Sequence, residues 1–265
     1  MLQWAWADRN DLSVTWAGRS VAAVPGGPVI DITGDPQALS QVMERHDIIL
    51  SLARAPISPE MADAMLATRL CAAAKDQAIP LFLCSSAAIY GDRPGPHAED
   101  DAAIPVTPYG RGKLWMEQAA IDSGARVTCL RIGNVAGADA LLGPHRPDSA
   151  ARITLDVFPD GSTPRRSYIG PLTLAQVLAD LMGLAVAKTR LPPTLNLAAP
   201  GDVSMADLLA AAGLDWSGQA APPTALPRLT LDTKRLLRLV DLPPDAGTAP
   251  RLVREWQDYC KAAPQ

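Results

Sequence analysis

Short apolar runs alternate with helical patterns from residue 2 to residue 132, and this alternation constrains the fold more than any other feature. Leu2, Ala5 and Trp6 in LQWAWADRN fall at helical spacing, and the apolar run LSVTW (12–16) follows as a strand. PVIDI (28–32) predicts a strand, and PQALSQVMERH (36–46) predicts a helix with Pro36 in its first turn. DIILSLA (47–53) reads as a buried strand, and SPEMADAMLATRLCAAAKDQ (58–77) as a long helix capped by Ser58. PLFLCSS (80–86) and RVTCLRI (126–132) are further strands, separated by the helical pattern PYGRGKLWMEQAAIDSG (108–124), which ends at a glycine. Strands and helices of these lengths in this order predict right-handed crossovers and a parallel sheet covered on both faces. The fold class is α/β, a doubly wound sheet.

Beyond residue 140 the pattern loosens. RITLDVF (152–158), TLNLA (194–198) and RLTLD (228–232) suggest strands, and TLAQVLADLMGLAVAKTR (173–190) suggests a helix. SMADLLAAAG (204–213) carries its own helix signals, Ser204 as N-cap and Gly213 past the end, and APRLVREWQDYC (249–260) closes the chain. Prolines cluster at 191–193, 221–227 and 242–244, so this half is loop-rich. The division expected is a sheet domain over 1–150, with 160–190 returning to it, and a smaller C-terminal substrate lobe made mainly of 151–265. Such a lobe packs against the carboxyl edge of the sheet, where these folds bind ligands.

The formal net charge of -4 gives no electrostatic footprint for nucleic acid or an anionic membrane. Four cysteines lie far apart without a C-x-x-C pair, which argues against a zinc site and against a disulfide framework. No stretch approaches the roughly 18 apolar residues of a membrane span. Asp8, with no basic residue ahead of it, argues against a secretory leader, so the expected location is the cytoplasm.

Three segments carry chemistry: LCSSAAIYGD (83–92), a strand running into a Ser-Ser turn; YGRGK (109–113); and LRIGNVAG (130–137). Tyr109 and Lys113 are four residues apart on a helix, so they share a face. An ammonium beside a phenol favours the phenolate. A serine from a neighbouring strand end, Ser86, can hold a substrate oxygen next to that general acid or base. His46, His97 and His145 are isolated, and Trp115 and Met116 read as helix packing.

SSAAIYG, YGRGK and LRIGNVAG together resemble the extended short-chain dehydrogenase/reductases of the NAD-dependent epimerase/dehydratase type, enzymes of nucleotide sugars. DGSTPRRSYIGPLTLA (160–175) and TLNLAAPGDVSMADLL (194–209) are similar to later motifs of the same family. The resemblance implies a Rossmann-like domain that binds NAD or NADP. It implies Ser86, Tyr109 and Lys113 as catalytic residues, with Lys113 also on the cofactor ribose. Asp31 and Ile32 match the pair that touches the adenine, and Leu52 and Ala53 the segment along the cofactor. On the substrate side Asn134 joins Ser86, and Arg166 matches the arginine on the nucleotide diphosphate. Asp31 is equally suited to cap the turn before Pro36, Asn134 to tie backbone, and Arg166 to be a solvated charge. The partner implied is a small molecule, and family members often form homodimers through the helix carrying Tyr109 and the long helix before it.

The sequence departs from the family at its start. The family opens with a strand and a G-x-x-G-x-x-G turn that holds the pyrophosphate, whereas the first glycine cluster here is VPGGP (24–28). About 15 residues are missing by ordinary element lengths. In the strand order 3-2-1-4-5-6 the first strand is central. The expectation is that the recorded start lies downstream of the true one; the competing reading is a naturally shortened relative in which LSVTW pairs directly with DIILSLA. TWAGRS has no acidic residue for a ribose hydroxyl and offers Arg19, which slightly favours NADP.

Ala87 and Ala88 stand where the family's dehydratases carry an Asp-Glu pair, so the chemistry expected is hydride transfer at one carbinol or ketone, in a reductase or a 4-epimerase. Thr173 replaces a family aspartate, which opens the substrate range to smaller sugar-like molecules. The alternative is a non-catalytic binding or regulatory relative that has lost the cofactor glycine loop.

Overall fold

A computed structural model of the chain describes residues 1–20, 24, 27–32, 34, 36–53, 61–147 and 152–262. Along the chain the elements are α1 (Leu2–Ala5), α2 (Pro36–Met43), β1 (Ile49–Ser51), α3 (Ala62–Asp76), β2 (Leu81–Ser86), a 3-10 turn (Ala87–Tyr90), α4 (Pro108–Asp122) and β3 (Val127–Ile132). Then follow β4 (Asn134–Val135), β5 (Ile153–Val157), β6 (Arg165–Arg166), β7 (Tyr168–Ile169), α5 (Pro171–Val186), β8 (Thr194–Leu197) and β9 (Val203–Ser204). The chain ends with α6 (Met205–Ala212), β10 (Trp216–Ala220), β11 (Arg228–Leu229), a 3-10 turn (Leu236–Arg238) and α7 (Ala249–Ala262).

The main sheet has the order β1-β2-β3-β8, all parallel, with Ile49 opposite Leu81, Leu81 opposite Val127 and Cys129 opposite Thr194. Successive side chains alternate between its faces. Leu81, Leu83 and Cys129 pack with α3 and α4, whereas Phe82, Leu130 and Leu195 pack with α5. Burial on both sides explains why these strands are nearly continuous apolar runs. Ala64, Ala67, Cys71 and Ala74 form a small-residue stripe on α3, which lets α4 approach closely. This is a Rossmann-type α/β architecture.

A second core surrounds Trp256 of α7, with Leu208 and Leu209 of α6, Leu155 of β5 and Tyr168 of β7. Gly137 has φ +84°, and a Cβ there would lie 2.3 Å from the Trp256 indole, so backbone conformation and packing both demand glycine. Small sheets frame this core: β5 with β10, β6 between β9 and β11, and β4 with β7.

Glu255 of α7 joins the two cores. The N-cap of α5, Gly170, has no side chain to satisfy the first turn, and a Cβ there would meet the Glu255 carboxylate at 2.2 Å. Glu255 supplies the cap instead, accepting hydrogen bonds from the Leu172 and Thr173 amides at 3.0 and 2.9 Å and from the Thr173 hydroxyl. Arg251 pairs with it at 3.0 Å.

The N-terminal third departs most from expectation. LSVTW forms no strand, and PVIDI is reduced to one parallel bridge between Val29 and Gly18. Among the described residues no strand offers backbone partners to LSVTW. Its large side chain, Trp16, stacks on Trp6 instead, while Ser13, Val14 and Thr15 face solvent. Trp6 in turn donates to the Ala175 carbonyl, so this segment lies on α5. DIILSLA shortens to β1, which forms an edge of the main sheet among the described residues. Neither an intact central strand nor pairing of LSVTW with DIILSLA occurs among them. Ser58 lies outside the described residues, and α3 starts after Met61. Among the described residues no helix is long and apolar enough to cross a membrane, and no cluster of His, Cys, Asp and Glu could hold a metal.

Replacing Glu255 with alanine strands the buried amides of α5, while Arg251 keeps Asp245 as a partner at 3.1 Å, and is expected to lower unfolding stability by about 3 kcal/mol. Urea denaturation followed by tryptophan fluorescence measures this, and Glu255→Gln, which keeps acceptors for the amides, loses less.

Candidate active site

The carboxyl ends of the parallel strands bring the predicted residues to one edge. Ser86 ends β2 and caps the 3-10 turn behind it, its hydroxyl accepting from the Ala88 amide at 3.2 Å. Thr107 caps α4 by accepting from the Gly110 amide at 3.1 Å, and Pro108 occupies the first helical turn. A Cβ on Gly110 would lie 2.6 Å from the Ala88 carbonyl oxygen, so the first turn of α4 rests directly on the turn that follows Ser86. This close approach brings the segments of Ser86 and Tyr109 together.

Tyr109 is 45% exposed and open to a ligand, whereas Lys113 is buried behind it. The ammonium sits 5.9 Å from the Tyr109 ring centre. It forms an ion pair with Asp63 of α3 at 3.0 Å and lies 3.9 Å from the Met116 sulfur. Asp63 was not singled out in the sequence, because it is 50 residues away from Lys113 in a helix whose pattern speaks only of packing. Cys84, on the strand beneath, is no nucleophile: burial pushes its thiol up to about 12 despite the nearby lysine.

A buried polar network holds α4 against the sheet. Arg131 of β3 grips Glu117 of α4 through two N–H groups that make three contacts at 2.8 to 3.2 Å, and Ser85 of β2 donates to the same carboxylate. The other guanidinium edge donates to the Tyr90 hydroxyl and the Glu99 carbonyl, both at 2.9 Å. Burial works against the Arg131 charge, but hydrogen bonds and attraction from Glu117 raise its pKa above the ordinary value. Burial pushes the Tyr90 phenol up to about 12, so it stays protonated and donates to Asn196 of β8 at 2.8 Å. Glu117 follows Lys113 by four residues, and fixing it fixes the helix face that carries Tyr109 and Lys113.

The remaining predicted residues lie on other segments. Arg19 is exposed just after the bridge at Gly18; Asp31, exposed, and Ile32, half-buried, follow the bridge at Val29. Leu52 and Ala53 are exposed at the end of β1. Asn134 opens β4, and its side chain hydrogen-bonds the Tyr168 phenol, which also donates to Asp139 at 2.7 Å. Arg166 on β6 donates to the carbonyls of Arg165 and Leu226 at 2.8 and 2.9 Å. Burial lowers its pKa, and no carboxylate among the described residues pairs with it.

Residues 30–157 match the family described as NAD dependent epimerase/dehydratase. That match takes in just under half of the chain. A curated relative, the UDP-glucose 4-epimerase of Azospirillum brasilense, is 33% identical over 148 residues, 49% of this chain and 42% of the relative. The chain thus spans less than half the length of that relative. Among solved structures, the NAD-bound UDP-glucose-4-epimerase of Stenotrophomonas maltophila superposes with a TM-score of 0.70 at 22% identity, covering 91% of this chain and 85% of that one. An NAD-bound short-chain dehydrogenase/reductase superfamily protein of Agrobacterium tumefaciens gives a TM-score of 0.71 at 17% identity, covering 93% and 89%. The shared fold extends well past the matched family segment.

The residues of the site fit one end of a dinucleotide. The Lys113 ammonium has three N–H donors and gives one to Asp63, which leaves donors for the hydroxyls of a ribose. At the diphosphate end the described residues provide no glycine turn ahead of a long helix; α1 is a single turn of four residues.

Replacing Arg131 with leucine leaves Glu117 buried without its counter-charge and is expected to cost about 3–5 kcal/mol. Replacing both with leucine recovers most of that loss. Denaturation midpoints of the two single variants and the double variant measure the coupling.

Proposed function

We propose that the chain is an NAD(P)-dependent oxidoreductase acting at a single carbinol or ketone of a nucleotide sugar or a smaller sugar-like molecule. The observation that carries this reading is the pairing of Tyr109 and Lys113 on one helix face, pressed by Gly110 against the turn that begins at Ser86. The bound dinucleotide supplies a hydride acceptor or donor. Tyr109 moves the proton at the substrate oxygen, Ser86 holds that oxygen, and Lys113 binds the ribose. Ala87 and Ala88 bring no second acid or base, which supports a reductase or 4-epimerase over water elimination.

Arg166, a cation held by carbonyl groups, suits a diphosphate, and Asn134 offers the part of its amide that Tyr168 leaves over. In this reading residues 1–150 bind the dinucleotide and 151–265 mainly close over the substrate. Leu52, Ala53, Asp31 and Ile32 line the cofactor. Arg19 contacts a 2′-phosphate, so NADPH binds more tightly than NADH. Met65, Trp115 and Ile121 are exposed apolar residues of α3 and α4 that a second copy of the chain would cover.

With UDP-glucose as the first probe, Tyr109→Phe is expected to reduce turnover by about 100-fold or more while leaving NADPH affinity unchanged in a fluorescence titration. Unchanged turnover refutes the assignment of Tyr109. A folded wild-type chain that binds neither dinucleotide points to the non-catalytic binding relative. Arg19→Ala is expected to weaken NADPH by about tenfold and leave NADH untouched, as loss of a phosphate contact requires.

A further inference from the structure

We propose that Asp63 is a positioning residue for Lys113: it holds the buried ammonium through an ion pair and aims its remaining N–H donors at the ribose diol. The inference rests on the reading that Lys113 binds that ribose. The Lys113 and Asp63 side chains are only 5% and 13% exposed, and their charged atoms are 3.0 Å apart. Both belong to N-terminal halves of helices that start at the carboxyl edge of the sheet, so they meet where a ligand enters.

An ammonium withdrawn from water to this degree needs a counter-charge, because an uncompensated buried charge is costly. The other groups against Lys113 are the Tyr109 ring, the Met116 thioether and the Cys84 thiol, which burial holds protonated. Asp63 is the one anion paired with it among the described residues. The first turn of α3 suits a carboxylate, since its free amides point toward negative charge. One N–H directed at Asp63 also stops the ammonium from rotating freely. Two donors then remain at fixed angles, and among the described residues they face a weak sulfur acceptor that hydroxyl oxygens would displace.

The charge and the aim are separable. Asp63→Asn keeps the shape and removes the charge; Asp63→Glu keeps the charge and moves it by one methylene. Acetic anhydride labelling at pH 7.5, read residue by residue by mass spectrometry, reports how firmly the Lys113 amine is held in its ion pair, with Lys75, Lys188, Lys234 and Lys261 as internal references. Labelling of Lys113 is expected to be about fivefold faster or more in Asp63→Asn and near the wild-type rate in Asp63→Glu. Fluorescence titration with NADPH is expected to show weaker binding in both variants, by about tenfold in Asp63→Glu. Equal labelling in wild type and Asp63→Asn overturns the claim about charge, and wild-type affinity in Asp63→Glu overturns the claim about aim. If Asp63→Asn does not fold, the Asp63→Glu titration alone decides. A wild-type chain that binds neither NADPH nor NADH refutes the oxidoreductase reading, and the labelling contrast still judges Asp63.

Discussion

The Arg131–Glu117 pair is the interaction on which the site depends. It connects β3 to α4 through charge-assisted hydrogen bonds in a place where neither charge reaches water. Ser85, Tyr90, Glu99 and Asn196 satisfy the groups left over, so β2, β3, β8 and α4 meet in one polar knot inside an apolar layer. A network of this kind tolerates few arrangements, because each misplaced donor or acceptor stays buried and unmet. The reward is angular definition: α4 cannot roll on the sheet, and Tyr109 and Lys113 keep their direction relative to Ser86.

Glu255 plays a comparable role at a distance. The carboxylate comes from the last helix, yet it completes the first turn of α5, which packs on the main sheet. Two hydrophobic cores are tied together by one side chain. Gly170 and Gly137 mark how closely α7 is drawn in, since a methyl group at either position would collide with Glu255 or Trp256.

Much of the molecule was legible in the chain. The strands LFLCSS and VTCLRI, the helices of 108–122 and 204–213 and their caps follow from periodicity, Thr107, Pro108, Ser204 and Gly213. Those signals are local, and the backbone obeys them wherever neighbouring strands supply partners. LSVTW and PVIDI carry similar signals without such partners, and they form no ladder beyond the Gly18–Val29 bridge. A strand is a relation between two segments, whereas a helix closes its hydrogen bonds within one.

The candidate site divides in the same way. Sequence alone determined that Tyr109 and Lys113 share a helix face, because four residues make about one helical turn, and it set Ser86 at the end of a strand. Only the tertiary structure decided that Asp63 reaches Lys113, that Glu117 locks onto Arg131 and that Arg166 is held by carbonyls instead of a carboxylate. Those contacts join residues on separate elements. Their distances are set by how small residues let α3 and α4 approach, and by which strand lies beside which, and neither is written in a local pattern.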